Sequence, residues 1–105
     1  EGSICGWVSL QSFYGRPAYR ATAEVSIYLH EDFRGKGLGK QILTRVFAEC
    51  PKLGIDTLLG FIFAHNEPSL RLFTSLGFVK WAHLPEVATL DGVKRDLLIL
   101  GKKIP

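Results

Sequence analysis

Methionine is missing from this chain altogether, and cysteine occurs only at Cys5 and Cys50. Two cysteines without metal or redox spacing exclude a disulfide scaffold and read as reduced thiols. With three histidines and no paired cysteines, no metal site is expected. Long apolar runs are also wanting. The longest, Leu58-Leu59-Gly60-Phe61-Ile62-Phe63-Ala64, falls well short of the roughly 20 residues that span a bilayer. No basic segment followed by an apolar stretch opens the chain, so no secretory signal is read and a cytoplasmic setting is expected. A sequence that starts at Glu1 and holds no methionine reads as a fragment, a processed product or a partial chain.

The remaining composition is that of a globular protein. At 105 residues, 47% hydrophobic and 22% charged, the chain is one domain and too apolar for wholesale disorder. Its net charge of +3 invites a nucleic-acid reading. The basic residues are dispersed, however, apart from Arg34–Lys40 and Lys102-Lys103, and no stripe of aromatic and basic residues accompanies them. No nucleic-acid partner is expected. A basic mouth for an anionic ligand accounts for the charge equally well.

The hydrophobic pattern alternates two periods. Ile4–Leu10 reads as a short strand, and Gln11–Pro17 as a loop punctuated by Gly15 and Pro17. In Ala21–Leu29, Ala21, Ala23, Val25, Ile27 and Leu29 share one face, while Thr22, Glu24, Ser26 and Tyr28 share the other. From Leu38 the period becomes helical, with Leu38, Ile42, Leu43, Val46 and Phe47 on one stripe and Pro51 and Gly54 ending it. Ile55–Ala64 is a second strand, so strand, helix and strand make a right-handed βαβ unit with parallel pairing. Asn66 caps another helix with Pro68 in its first turn; Leu72, Phe73 and Leu76 form its inner stripe and Gly77 follows it. Phe78–Leu84 is a strand, and Val87–Leu90 with Lys94–Leu100 form a hairpin about Asp91-Gly92.

Between the second strand and the first helix lies Arg34-Gly35-Lys36-Gly37-Leu38-Gly39-Lys40. Glycine at every second position lets backbone approach a ligand closely, and the helix behind it presents unpaired N–H groups and a positive dipole end. A phosphate or pyrophosphate suits such a place, and Arg34, Lys36 and Lys40 surround it with positive charge. A magnesium-nucleotide loop needs Ser or Thr after its lysine, but Gln41 follows Lys40. A dinucleotide fold needs G-x-G-x-x-G and an acid at the end of the next strand; here the spacing is G-x-G-x-G and Asp56 lies at that strand's start.

Arg34-Gly35-Lys36-Gly37-Leu38-Gly39 resembles the R/Q-x-x-G-x-G/A signature of GNAT-type N-acetyltransferases. The similarity extends through Glu24-Val25-Ser26-Ile27-Tyr28-Leu29, Asn66-Glu67-Pro68-Ser69-Leu70 and Leu76-Gly77-Phe78. Tyr14-Gly15-Arg16-Pro17-Ala18-Tyr19 narrows it to the phosphinothricin (methionine sulfoximine) N-acetyltransferase branch. The resemblance implies an α/β acyl-CoA N-acyltransferase fold, a mixed sheet flanked by helices, formed here by the C-terminal portion of one domain spanning 1–105. Branch members carry a strand and helices ahead of the point where this chain opens, so the amine site would be lined on part of its wall.

The resemblance further implies acetyl-CoA as cofactor, held by Arg34, Gly35, Lys36, Gly37, Leu38, Gly39 and Lys40 at its pyrophosphate. The backbone of Ile27, Tyr28 and Leu29, and Asn66, would hold the pantetheine arm. Glu24 corresponds to the general base of the branch, and the acceptor would lie against Arg16, Pro17, Ala18, Glu24, Val25 and Ser26. Each assignment has a plain alternative: strand packing for Ile27–Leu29, a helix cap for Asn66, a solvated or ion-paired glutamate for Glu24, a surface arginine for Arg16. Many family members place Tyr or His on the second helix as general acid. Phe73 stands there and cannot donate a proton; Tyr28 and His83 are possible substitutes, or the thiolate leaves unprotonated. The implied reaction moves acetyl to a small amino-acid analogue by direct attack in a ternary complex, in an implied homodimer. A non-catalytic coenzyme A binding or dimerisation module, and a peptide or protein acetyltransferase, are the alternatives.

Overall fold

The computed structural model describes residues 6–12, 17–29 and 37–104. Arg16, Arg34, Gly35 and Lys36 therefore lie outside the described residues, as does His30. Five strands form one mixed sheet in the order β1 (Gly6–Ser12), β2 (Thr22–Leu29), β3 (Thr57–Phe63), β5 (Val93–Lys103), β4 (Val79–Leu90). A 3₁₀ turn, Pro17–Tyr19, separates β1 from β2. Helix α1 (Leu38–Leu53) joins β2 to β3, which pair in parallel as the βαβ reading requires, and α2 (Glu67–Ser75) joins β3 to β4. The remaining pairings are antiparallel.

Alternation in the strands and periodicity in the helices converge on one core. Leu43, Val46 and Cys50 of α1 and Phe73 of α2 cluster with Ala23, Val25, Leu58, Ile62, Phe78 and Leu100. Burying a Leu or Phe this fully contributes about 1.5–3 kcal/mol. Gly60, between Leu58 and Ile62 on the same face, lies directly under the Phe73 ring. Both described helices therefore sit on one face of the sheet, and Leu59, Phe61 and Phe63 point to the other.

Three local readings shift. The first strand runs past Leu10 into the stretch read as a loop, because its ladder with β2 continues to Ser12↔Ala23. Helix α1 passes through Pro51 and runs on to Leu53, forgoing the bond that an N–H at this position would make to the Phe47 carbonyl. It ends at Gly54, whose φ of 75° turns its N–H back to the Cys50 and Pro51 carbonyls. Phe78–Leu84 and Val87–Leu90 belong to one strand, β4, in which an irregularity between Leu84 and Ala88 takes up the break, with Glu86 at φ 53°. Asp91 and Gly92, both at positive φ, close the β4–β5 hairpin as expected.

Candidate functional site

Strands β2 and β3 pair at Thr22↔Thr57, Ala23↔Leu58 and Glu24↔Leu59, and nowhere beyond. Yet β2 continues to Leu29, paired to β1, and β3 to Phe63, paired to β5. Past Glu24 and Leu59 the two strands part, and half of their main-chain groups face the split rather than a neighbouring strand.

Above the split, on the helix face, a cleft of about 460 Å³ is lined by Ile27, Gly37, Leu38, Gly39, Lys40, Asn66, Pro68, Ser69, Arg71 and Leu72. One wall is the first turn of α1. Gly37 precedes it at φ 76°, a conformation that a side chain would strain, and its carbonyl accepts from the Gln41 N–H at 3.1 Å. The first-turn amides have no acceptor within the helix, and no side chain caps them. They and Lys40 leave this wall a set of donors suited to an anion. The opposite wall is the start of α2. Asn66 is its cap: Oδ1 accepts from the Ser69 N–H at 3.4 Å, and the cap makes no use of the two Nδ2 hydrogens. Asn66 is thus a helix cap that also lines the cleft.

Six expected cofactor residues, Ile27, Gly37, Leu38, Gly39, Lys40 and Asn66, thus share one cleft. Tyr28 and Leu29 continue β2 along the split as main chain. Pro68, Ser69, Arg71 and Leu72 join the lining without having been expected. Leu72 had been assigned to the core stripe, but it is half-buried and shared between core and cleft. Ser69 and Leu72 follow Asn66 at the spacing of one helix face, and Pro68 and Arg71 lie next to them in sequence.

Glu24 is half-buried at the last β2–β3 pair, where the strands part. Strand alternation puts Glu24 and Ser26 on the face away from the helices, opposite Val25 and Ile27. The split therefore separates the cleft from the carboxylate. Val25 is 1% exposed within the core, so only its backbone is available to an acceptor. Pro17 and Ala18 are exposed on the 3₁₀ turn. Phe73 is 2% exposed, edge-on to Phe78 at 4.8 Å between centroids. His83 is not part of the cleft lining. Its Nε2 lies 2.7 Å from Asp96 Oδ2, and Asp96 Oδ1 accepts from the Glu86 N–H at 2.9 Å. The hydrogen bond from His83, then the one from Glu86, holds the Asp96 carboxyl below its ordinary value. Among the described residues, no helix is long and apolar enough to cross a membrane.

The mixed sheet thus splits between two parallel strands, and a donor-rich cleft lies above the split. The chain belongs to the Acetyltransferase (GNAT) family, whose model matches residues 1–78. It is 50% identical over 104 residues to YwnH of Bacillus subtilis (strain 168), which bears a provisional phosphinothricin acetyltransferase name; the match covers 99% of this chain and 64% of YwnH. The L-methionine sulfoximine/L-methionine sulfone acetyltransferase of Salmonella typhimurium is 33% identical over 100 residues, covering 95% of this chain and 58% of that protein. The solved structure of yncA from Salmonella typhimurium with its cofactor acetyl-CoA superposes with a TM-score of 0.94 at 32% identity, covering 99% of this chain and 60% of that one. The chain thus spans about three-fifths of the length of these relatives.

Proposed function

We propose that this chain is the coenzyme-binding part of an N-acetyltransferase that acetylates the amine of a small amino-acid analogue of the phosphinothricin or methionine sulfoximine type. The observation that carries the reading is the parting of β2 and β3 after Glu24↔Leu59 beneath the cleft. Bound acetyl-CoA supplies the acetyl thioester that the acceptor amine attacks. The first-turn amides of α1, with Lys40, hold the pyrophosphate, and Arg34, Gly35 and Lys36 precede them in the same sequence motif. The β2 main chain at Ile27–Leu29 hydrogen-bonds the pantetheine arm along the split as a neighbouring strand would. Asn66 donates to that arm through Nδ2.

Across the split, Glu24 accepts the proton that the acceptor's ammonium must lose before it can attack, directly or through one water. Ser26, on the same face, and Pro17 and Ala18 on the 3₁₀ turn face the acceptor, and Arg16, next to them in sequence, takes its carboxylate bidentately. Phe73 offers no proton to the departing thiolate, which leaves as the anion. The expected setting is cytoplasmic and the expected assembly a homodimer. Exposed Val79, Trp81, Val87 and Val93 on the β4–β5 hairpin support self-association, which light scattering reads directly.

Thiol release from acetyl-CoA in the presence of phosphinothricin or methionine sulfoximine tests the reading. Glu24→Gln is expected to lower turnover by about 100-fold or more, the usual scale of general-base catalysis, with little change in coenzyme affinity. Unchanged turnover would remove Glu24 as base. The buried Phe73 favours a second reading, coenzyme binding without transfer, and binding without thiol release for any amine would select it.

A further inference from the structure

Among the described residues, two charged side chains line the cleft, Lys40 and Arg71. Lys40 stands on the first turn of α1, with the amides that take a pyrophosphate. Arg71 stands on the opposite wall, on α2, and the pyrophosphate leaves it without a role. Among the described residues, the lining includes no carboxylate. Arg71 pairs with Glu67 one turn earlier, Nη1 to Oε1 at 3.5 Å, but the two side chains are 72% and 75% exposed. Such an exposed pair is weak and readily exchanged for a stronger anion.

Position on the helix separates Arg71 from the arm-binding end of its wall. At about 1.5 Å rise per residue, Arg71 lies roughly 7.5 Å along α2 from Asn66, so the two address different parts of a long ligand. Beyond its pyrophosphate, coenzyme A carries one more phosphoryl group, the monoester on the ribose 3′ oxygen. A phosphate monoester has a charge of about −1.5 to −2 near neutral pH and three acceptor oxygens. A guanidinium fork matches two of those oxygens at once, which an ammonium cannot do.

We infer that Arg71 is a specificity residue that binds the ribose 3′-phosphate and makes the cleft prefer the phosphorylated coenzyme over its 3′-dephospho form. This rests on the coenzyme reading above. Substituting an exposed helix side chain leaves the fold intact, which circular dichroism checks.

Calorimetric titration of wild type, Arg71→Ala, Arg71→Lys and Lys40→Ala with acetyl-CoA and with 3′-dephospho-acetyl-CoA tests the inference. Wild type is expected to prefer acetyl-CoA by roughly tenfold, the scale of one exposed charge-assisted contact. Arg71→Ala should narrow that preference to about twofold, and Arg71→Lys should keep part of it. Lys40→Ala should weaken both ligands alike. Equal affinity for the two ligands in wild type, or a preference that survives Arg71→Ala, overturns the Arg71 assignment. Failure of both ligands to bind wild type overturns the coenzyme reading itself.

Discussion

The contact between Gly60 and Phe73 ties the core to the split strands, and replacing Gly60 by alanine probes it. A Cβ on Gly60 would meet the Phe73 ring at 2.8 and 3.1 Å, closer than carbon atoms pack without movement. The ring has little room to yield, because Phe73 is 2% exposed and set edge-on against Phe78. Overpacking of this kind costs about 1–3 kcal/mol. Alanine restrains the unfolded chain more than glycine does and returns about 0.4–1 kcal/mol. The net expectation is a loss of about 1–2 kcal/mol. In a chain this size each kcal/mol lowers Tm by about 4–8 °C. Differential scanning calorimetry should therefore show a fall of roughly 10 °C. Phe73→Leu alone should also destabilise, through a cavity. Combined with Gly60→Ala, the smaller side chain gives the new methyl its space, so the double variant should be more stable than the sum of the singles by at least about 0.5 kcal/mol. Strictly additive losses would refute the steric argument.

Two further predictions concern separate parts of the molecule. Asn66→Asp should keep the Ser69 cap and the Tm while weakening acetyl-CoA binding, because an aspartate has no donors for the arm; Asn66→Ala should lose both, with about 0.5–1 kcal/mol of stability. Equal stability loss in the two variants would show that the cap is not made by Oδ1. At the other end of the sheet, the Asp96 carboxyl lies below its ordinary value of 3.8 in the folded chain. Its contribution to stability is complete above that value and is lost as pH falls through the lower folded value. Acid unfolding of Asp96→Asn should therefore lack that acid-dependent part. An unchanged difference from wild type between pH 5 and pH 2 would count against the His83 and Glu86 contacts.

Much of the architecture was legible because it rests on local rules. The alternation of Ala21–Leu29, the stripe through Leu43 and Val46, the Asn66 cap and the Asp91-Gly92 turn each state their own conformation, and each lies where its pattern puts it. The split between β2 and β3 was not legible, since it is a relation between two strands that each look regular alone. Pro51 misled by its type: proline opposes a helix interior, yet α1 runs through it to Leu53, with Cys50 beside it buried in the core. Arg71 and Ser69 escaped notice because amphipathic periodicity was used to find the core stripe of α2, and the cleft takes the neighbouring face. The assignments to Lys40 and Asn66 came from a motif, and the geometry joins them on opposite walls of one cleft.

The most direct measurement of the central claim is calorimetric titration of acetyl-CoA into the chain at two salt concentrations. One site per chain is expected, with affinity falling as salt rises, because the ligand's phosphates are anionic and Lys40 and Arg71 line the cleft beside the first-turn amides of α1. No binding at either salt concentration would contradict the account.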